Sequence, residues 1–423
     1  MREKTKTFLK FFYYHSKLED LPDHLLVDIF SYLNKRDLCL NICLVCKRWN
    51  FLSKSPALWR RFTLLTIKNP SWCKFKLVNL PQTFDLIERR FSLVLQHIDI
   101  SKLKFSFDVL QLLFKNCFKI KSLIINFKYL ELMHRSNYKL EEYLSLEQIP
   151  STIEYLYLKN VCDQKLRFNN SNAKLRYNLF EVEIIKLIKI LLNRNTLCLK
   201  YLGFKCVDPT IITQECLESM KNIDILLLNN ITDTDSVLEE MSILSNIRAI
   251  ELCKCVSFDG NGLQDIFEVS EHLETLQIGK SINLNRCELE EIDWKTIENL
   301  QELYLDSTDL YQISENLNET NNCFNSFKSL NYLVLNNYEY NLEKNYFPYL
   351  TANNCHLRTF VLRPSSTANT NSIENWSTDS CFLLDLKGFL NIEYNIEYLD
   401  LIGLALLDTK FIISILKQLK NLK

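Results

Sequence analysis

The sequence carries almost no net charge, and it lacks long apolar runs and regularly spaced cysteines. Its 50 Lys and Arg residues balance its 51 Asp and Glu residues, so no overall field would attract nucleic acid or anionic lipid. No stretch reaches the ~18 consecutive apolar residues that a membrane span requires. We therefore expect no nucleic-acid or membrane partner, and a soluble protein of the cytoplasm or nucleus.

The 15 cysteines are an odd number without paired spacing, and many lie in apolar runs where a thiol behaves as a small buried hydrophobe. This usage favours a reducing intracellular compartment. Cys43 with Cys46, and Cys253 with Cys255, come nearest to metal-ligand spacing, but neither pair has a second pair at a suitable distance. We therefore expect no metal and no cofactor.

Catalytic motifs are also missing. The six histidines are far apart in the sequence, and no Gly-rich phosphate loop, nucleophile elbow or zinc-helix motif accompanies them. The sequence therefore predicts a protein that is not an enzyme and has no catalytic residues. A metalloenzyme or hydrolase built from scattered Cys and His residues is an alternative that metal analysis would test.

A clear helical pattern runs from Leu18 to Phe62. Pro22 suits the first position of a helix, where its missing N–H needs no partner, and apolar residues follow at helical spacing. Asp37 is placed to cap a second helical region, Leu38 to Leu52, and Ser55-Pro56 begins a third. About 45 residues have too little interior for this much apolar surface, so we expect a partner to cover some of it.

These residues carry a resemblance to a known family. Leu21-Pro22-Asp23, Leu44-Val45-Cys46-Lys47-Arg48-Trp49 and Pro56-Ala57-Leu58-Trp59-Arg60 follow one another at the spacing of an F-box, which they resemble. The resemblance implies a three-helix module that docks on a Skp-type adaptor, which in turn holds a cullin and a RING subunit. The adaptor-binding residues it implies are Leu21, Pro22, Leu25, Ile29, Phe30, Leu33, Val45, Trp49, Leu58 and Trp59. Trp49 and Leu58 could equally fill the core of the module itself.

The rest of the chain repeats the pattern apolar-x-x-apolar-x-apolar at intervals that mostly fall in the range of leucine-rich repeats. The repeats start at Leu95, Ile120, Ile153, Leu199, Ile223, Ile247, Leu273, Leu300, Leu330, Leu357 and Ile396. Positions are numbered below from these starting residues. Side chains alternate along a strand, so positions 4 and 6 point into the core and position 5 points outward.

Helical stretches separate the strands, at Asp233 to Leu244, Asp259 to Val269 and Asp408 to Leu419. The fold class we expect is α/β, with an N-terminal three-helix F-box followed by a curved leucine-rich-repeat solenoid. Parallel strands would line its concave face and helices its convex face, because a strand stack is narrower than a helix stack. This region resembles the irregular repeats of the leucine-rich F-box subfamily, and Cys255 occupies the ninth position where that subfamily often has Cys or Asn.

Three domains follow from these patterns: a flexible tail at 1–17, the F-box at 18–62 and the repeats at 63–423. Three long intervals between repeats predict insertions, at Tyr129 to Pro150, Asp163 to Thr196 and Pro364 to Ser380. Phe180 to Leu192 predicts a helix within the second insertion.

The outward side chains of the strands are the candidate surface for a protein client, because aromatic and arginine side chains anchor protein interfaces. The residues at position 5 include Tyr157, Leu227, Glu251, Gln277, Tyr304, Val334, Val361 and Asp400. The flanking candidates are Tyr155, Lys205, Arg248, Lys254, Lys280, Asp306, Arg358 and Arg363.

The sequence thus predicts the substrate-recognition subunit of a Skp-cullin-F-box ubiquitin ligase, which binds the adaptor with one end and an unknown target protein with the other. Ubiquitin transfer would be promoted by proximity alone. The alternative is a leucine-rich-repeat scaffold or inhibitor that acts outside any ligase.

Overall fold

The computed structural model describes residues 18–33, 37–63, 94–102, 105–130, 149–161, 171–207, 217, 220, 222–255, 261–279, 296, 298–306, 329–338, 357–364, 396–401 and 409–423. It contains a helical module at residues 18–60 and a parallel sheet that runs through the repeats. The predicted tail at 1–17 lies outside the described residues, as do most of the first and third predicted insertions.

The helical module begins with a 3₁₀ turn and contains four short α-helices. Pro22 has an extended conformation (φ −55°, ψ 150°) and directly precedes the first helix. The helix therefore begins at Asp23, one residue later than predicted. The module comprises the turn Leu18–Asp20, α1 Asp23–Ser31, a π-helical turn Leu38–Ile42, α2 Cys43–Val45, α3 Lys47–Leu52 and α4 Pro56–Trp59.

The second predicted helix is interrupted, and its predicted cap was wrong. Cys46 adopts an extended conformation (φ −157°, ψ 170°), and its sulfur accepts the backbone N–H of Trp49 at 3.4 Å, so a new helix begins after it. Asp37 is itself helical, and its side chain makes no capping hydrogen bond. Its carboxylate instead accepts a hydrogen bond from the side-chain amide of Asn41 at 2.9 Å. The apolar pattern gives no sign of this break.

In the part of the chain that the structure describes, twelve parallel strands form one open sheet in sequence order. They are β1 Arg61–Thr63, β2 His97–Asp99, β3 Ser122–Asn126, β4 Tyr155–Lys159, β5 Tyr201–Lys205, β6 Ile225–Asn229, β7 Ala249–Cys253, β8 Thr275–Gly279, β9 Glu302–Asp306, β10 Tyr332–Tyr338, β11 Thr359–Pro364 and β12 Tyr398–Asp400. Each of β2 to β12 begins two residues after a predicted repeat start, which confirms all eleven starts. The repeat pattern missed β1, which follows directly on the helical module and pairs with β2.

Positions 4 and 6 point into one continuous apolar core, as predicted. Leu156, Leu202, Leu226 and Ile250 occupy position 4 of successive strands, and all are buried. The thiol of Cys255, at position 9, lies near the carbonyl oxygens of Leu228 (3.7 Å) and Cys253 (3.8 Å), and burial raises its pKa to about 11. Cys255 is therefore a structural residue of the core.

Among the described residues, four helices lie between strands and a fifth follows β12. They are α5 Phe107–Asn116, α6 Ser171–Arg194, α7 Thr234–Met241, α8 Asn261–Val269 and α9 Thr409–Gln418. The last three confirm the helices predicted from their periodicity to within three residues at each end. The helix predicted at Phe180 to Leu192 is present and begins nine residues earlier. The apolar sides of these helices join the same core as the strands.

Each of four neighbouring strands is followed by a residue in the left-handed conformation. Asn160, Cys206, Asn230 and Lys254 have φ values of 52° to 55° and directly follow β4, β5, β6 and β7. Each donates its backbone N–H to the carbonyl of the last residue of the next strand, at 2.7 to 2.9 Å. This contact extends the backbone ladder by one step, which offsets the steric cost of the left-handed conformation.

The helical module is joined to the sheet by hydrogen bonds and by packing. The carbonyl of Arg60 accepts the backbone N–H groups of Gln96 (3.0 Å) and His97 (2.9 Å), and β1 begins at the next residue. Val94 packs against the module's own core. The module is therefore continuous with the first strands of the sheet.

Helices α7 and α8 pack closely because α8 has Gly262 in its first turn. A β-carbon at this position would lie 2.5 Å from the carbonyl oxygen of Asp235 and 2.8 Å from the β-carbon of Leu238. None of the helices in the described part of the chain has the length and apolarity needed to cross a membrane.

Gly262→Ala should reduce the free energy of unfolding by about 1–3 kcal/mol, because the added methyl group forces the two helices apart. Gly279→Ala is the matched control, since its new β-carbon would have no neighbour closer than 3.7 Å. Urea denaturation of both variants tests this, and equal stability of the two would contradict the close approach of α7 and α8.

Candidate functional site

The structure divides the ten predicted adaptor-binding residues into buried and exposed groups. Phe30, Leu58 and Trp59 are buried in the module's core, where the indole N–H of Trp59 donates to the carbonyl of Ser53 at 2.6 Å. Trp49 is half-buried, with its ring 5.2 Å from that of Phe30. These four side chains can support an interface from beneath. Leu21 and Leu33 are intermediate in exposure, and the exposed members are Pro22, Leu25, Ile29 and Val45.

An apolar stripe is exposed on α1 and at its end. Leu25, Ile29 and Tyr32 lie at i, i+4 and i+7 and are 41%, 40% and 91% exposed, so they share one side of the helix. Leu44, Val45 and Phe51 add further exposed apolar surface within the module. The sequence interpretation missed Tyr32, Leu44 and Phe51, and helical spacing from Leu25 could have found Tyr32.

Arg48 fixes the segment that leads into α1. Its guanidinium donates to the carboxylate of Asp23 at 2.6 and 2.9 Å, and to the carbonyl of Leu21 at 2.5 Å. Pro22 is thereby held between two residues that are tied to α3. The ion pair is half-exposed, so we assign it a positioning role and little stability of its own.

Most of the predicted client-binding residues lie on the strand face, defined here as the outward positions 3, 5 and 7 of β2 to β12. Arg248 and Arg358 lie beside it at position 2 and Lys254 at position 8, and Lys280 lies outside the described residues. The pairing register places the eight position-5 residues in one row across the sheet. Leu227, Val334 and Val361 in that row are only 8%, 6% and 3% exposed, so they line the surface and do not protrude from it.

Three tyrosines form a rigid cluster on β4 and β5. The rings of Tyr155 and Tyr201 stack with centroids 3.9 Å apart. Tyr157 lies across Gly203, where a β-carbon would approach the Tyr157 ring to 2.6 Å, and Lys159 covers that ring at 4.5 Å. Burial raises the pKa of Tyr157 to about 12, so its hydroxyl stays neutral and can donate a hydrogen bond. Tyr201, which the sequence interpretation missed, occupies the same repeat position as Tyr155.

Charged residues at the edges of the strand face pair with the adjacent strand. At position 2, Lys121 pairs with Glu154 at 2.6 Å and Arg248 with Glu274 at 2.9 Å. Near the last strands, Arg363 donates to the buried carboxylate of Asp400 at 2.5 and 3.1 Å. Two of the three arginines predicted to contact a client are therefore already engaged within the sheet.

The centre of the strand face differs, because its charges lack such partners among the described residues. Glu251 on β7 is half-buried without a hydrogen bond or ion pair there, and burial raises the pKa of its carboxyl group. Lys159 and Lys205 are directly opposite each other on β4 and β5. Burial, Lys205 and Lys102 lower the pKa of Lys159, while Asp99 opposes them. Like charges in register destabilise a sheet.

The remaining candidates are placed as follows. Lys254, Arg358 and Arg363 are exposed, whereas Gln277, Tyr304 and Asp306 are intermediate, and Tyr304 donates its hydroxyl to Glu302 at 3.2 Å. Within the described ranges, no three His, Cys, Asp or Glu side chains lie close enough together to hold a metal ion. Whether any of these residues contacts a client stays a prediction.

Comparison with known proteins bears on the helical module and on the sheet separately. Residues 18–65 match the F-box-like family. The match covers the whole helical module and β1. F-box domains generally bind Skp-type adaptors.

Solved structures similar to this chain include an internalin from Listeria monocytogenes, with 11% identity, a TM-score of 0.34 and coverage of 74% of this chain and 81% of that chain. A leucine-rich-repeat protein from Leptospira interrogans has 15% identity, a TM-score of 0.36 and coverage of 78% and 77%. The family match concerns residues 18–65 alone, and the likeness to the two solved structures concerns the fold alone.

Glu251→Gln should raise the free energy of unfolding at neutral pH, by up to about 0.5 kcal/mol, because it removes a half-buried charge that solvent screens only in part. Burial raises the folded-state pKa, so the stability of the wild-type chain should fall as the pH rises through that pKa. Thermal unfolding between pH 4 and pH 8 tests this, with Glu240→Gln on the exposed side of α7 as the control. A stability loss in Glu251→Gln would show that the carboxylate has a stabilising partner.

Proposed function

We propose that this chain is the substrate-recognition subunit of a Skp-cullin-F-box ubiquitin ligase. Residues 18–62 would bind a Skp-type adaptor, which links them to the cullin and RING subunits, and residues 63–423 would hold the target protein. The proposed mechanism needs no reacting group from this chain. Holding the target's lysines near the ubiquitin-loaded conjugating enzyme makes the transfer behave almost as an intramolecular reaction.

The observation that carries the proposal is the exposed stripe of the F-box-like module. Leu25, Ile29 and Tyr32 expose apolar side chains on one helix, whereas Leu26 and Phe30 of that helix fill the module's core. Large apolar side chains that cluster at the surface mark sites of protein interaction. The stripe belongs to the segment that matches the F-box-like family, and this supports an adaptor as its partner.

The join between the module and the sheet supports the same mechanism. Hydrogen bonds to Arg60 and the packing of Val94 leave no flexible spacer between the module and β1. A target on the strand face would then be held at a defined distance from the adaptor, which raises the effective concentration of its lysines.

Ile29→Asp combined with Leu25→Asp should abolish capture of a Skp-type adaptor, because two carboxylates would be desolvated in an apolar interface. His24→Asp is the matched control, since it adds one carboxylate to an exposed position of the same helix. Phe30 is unsuitable for this test, because it is 1% exposed and a charge there would unfold the module. Affinity capture from cell extract, with immunodetection of adaptor and cullin, gives the result.

Two outcomes would contradict the proposal. Undiminished adaptor capture by the double variant would rule out the exposed stripe as the interface. Capture of the adaptor by the wild-type chain without any cullin would instead favour the non-ligase scaffold.

A further inference from the structure

The centre of the strand face contains three charged side chains whose order suggests what kind of segment would bind there. Lys159 and Lys205 lie at position 7 of β4 and β5, and Glu251 lies at position 5 of β7. Between them, β6 supplies Ile225, which is 38% exposed, the nearly covered Leu227, and Asn229, whose side-chain oxygen is buried without a hydrogen-bond partner among the described residues. A positive end, a middle with Leu227 and Asn229, and a negative end therefore follow one another across four strands.

These charges lie close enough to act on one ligand, yet too far apart to neutralise one another. One strand, β6, separates Lys205 on β5 from Glu251 on β7, and no ion pair joins them among the described residues. The thiol of Cys253 responds to both groups, because burial and Glu251 raise its pKa while Lys254 and Lys205 lower it. Burial raises the pKa of the Glu251 carboxyl group and no cation pairs with it among the described residues, so a basic side chain of a ligand would compensate that desolvation.

The spacing fits an extended polypeptide. Strands lie ~4.8 Å apart and residues along a strand ~3.3 Å, so the midpoint between the two lysines is about 14 Å from Glu251. In an extended chain, residues i and i+4 are separated by about 13 Å and point to the same side, with residue i+2 between them. The i+2 side chain would then lie over β6, between Leu227 at position 5 and Asn229 at position 7.

We infer that the strand face over β4 to β7 binds an extended segment of the target protein in which an acidic, an apolar and a basic side chain occupy alternate positions. The acidic side chain lies against Lys159 and Lys205, with the neutral hydroxyl of Tyr157 as an additional donor. The apolar side chain packs on Leu227 beside Asn229, and the basic side chain pairs with Glu251. This inference rests on the proposed function, because it names the class of target that the ligase subunit would select.

The test uses the full-length chain and synthetic peptides immobilised at high density, so that avidity makes weak binding measurable. The probe is Asp-Ser-Leu-Ser-Arg between neutral flanks. Comparison peptides replace the Asp or the Arg with Ala, or remove or add one Ser. The wild-type chain should bind the probe about tenfold more strongly than each comparison peptide, as expected for the loss of one well-placed charge pair.

Protein variants make the assignment specific. Glu251→Lys should transfer the preference to Asp-Ser-Leu-Ser-Asp, and Lys205→Glu should transfer it to Arg-Ser-Leu-Ser-Arg. Glu251→Gln keeps the shape of the side chain, and it should lose the preference for Arg while it keeps the preference for Asp. This variant still tests the assignment if the charge-reversal variants do not fold. Glu240→Gln on α7 is the matched control and should bind like the wild-type chain.

Equal binding of all peptides, or unchanged preferences in the Glu251 and Lys205 variants, would overturn the inference. Stronger binding when phosphoserine replaces the acidic residue would keep the site and identify its anion as phosphate. Adaptor capture is measured on the same protein preparations. Selective peptide binding without adaptor capture would refute the proposed function alone, whereas adaptor capture with indifferent peptide binding would refute only this inference.

Discussion

Each repeat of this chain can bury its apolar side chains only against the next repeat, and the rest of the structure depends on this constraint. A strand of five residues with two inward side chains has no core of its own. Parallel pairing in unbroken register supplies one, and it aligns positions 4 and 6 of β2 to β12 in continuous rows. The same register aligns positions 3, 5 and 7 on the opposite side. A binding face is therefore produced by the arrangement that builds the core.

Continuity at the first strand extends this constraint to the F-box-like module. Because β1 follows α4 directly, the backbone ladder of the sheet reaches the residue next to the module's core. Arg48 acts similarly within the module, since it ties the segment at Leu21 and Asp23 to α3. The two candidate surfaces are thus parts of one continuous structure, which a proximity mechanism requires.

Repeat starts could be predicted from the sequence because two inward apolar residues per strand leave a period that survives variation elsewhere. The break at Cys46 could not, since an extended residue within an apolar run leaves the helical spacing of its neighbours nearly intact. β1 was missed because Arg61, Phe62 and Thr63 carry no copy of the repeat pattern, and their pairing with β2 joins residues that lie far apart in the sequence. For the strand face, alternation predicts which residues point outward. Alternation does not predict that Val361 is nearly buried or that Arg363 pairs with Asp400. Both depend on side chains of adjacent strands, which lie far apart in the sequence.

The contrast between the edges and the centre of the strand face is the strongest argument that the centre binds a ligand. At position 2, residues of opposite charge on adjacent strands form ion pairs, as Lys121 does with Glu154 and Arg248 with Glu274. The sheet therefore pairs its charges at this edge. At the centre, two lysines lie side by side and a half-buried carboxylate lacks a partner among the described residues. The ring of Tyr157 stabilises Lys159 in part, but neither lysine forms an ion pair among the described residues. A segment of complementary charge would reduce the repulsion between the lysines and compensate the desolvation of Glu251.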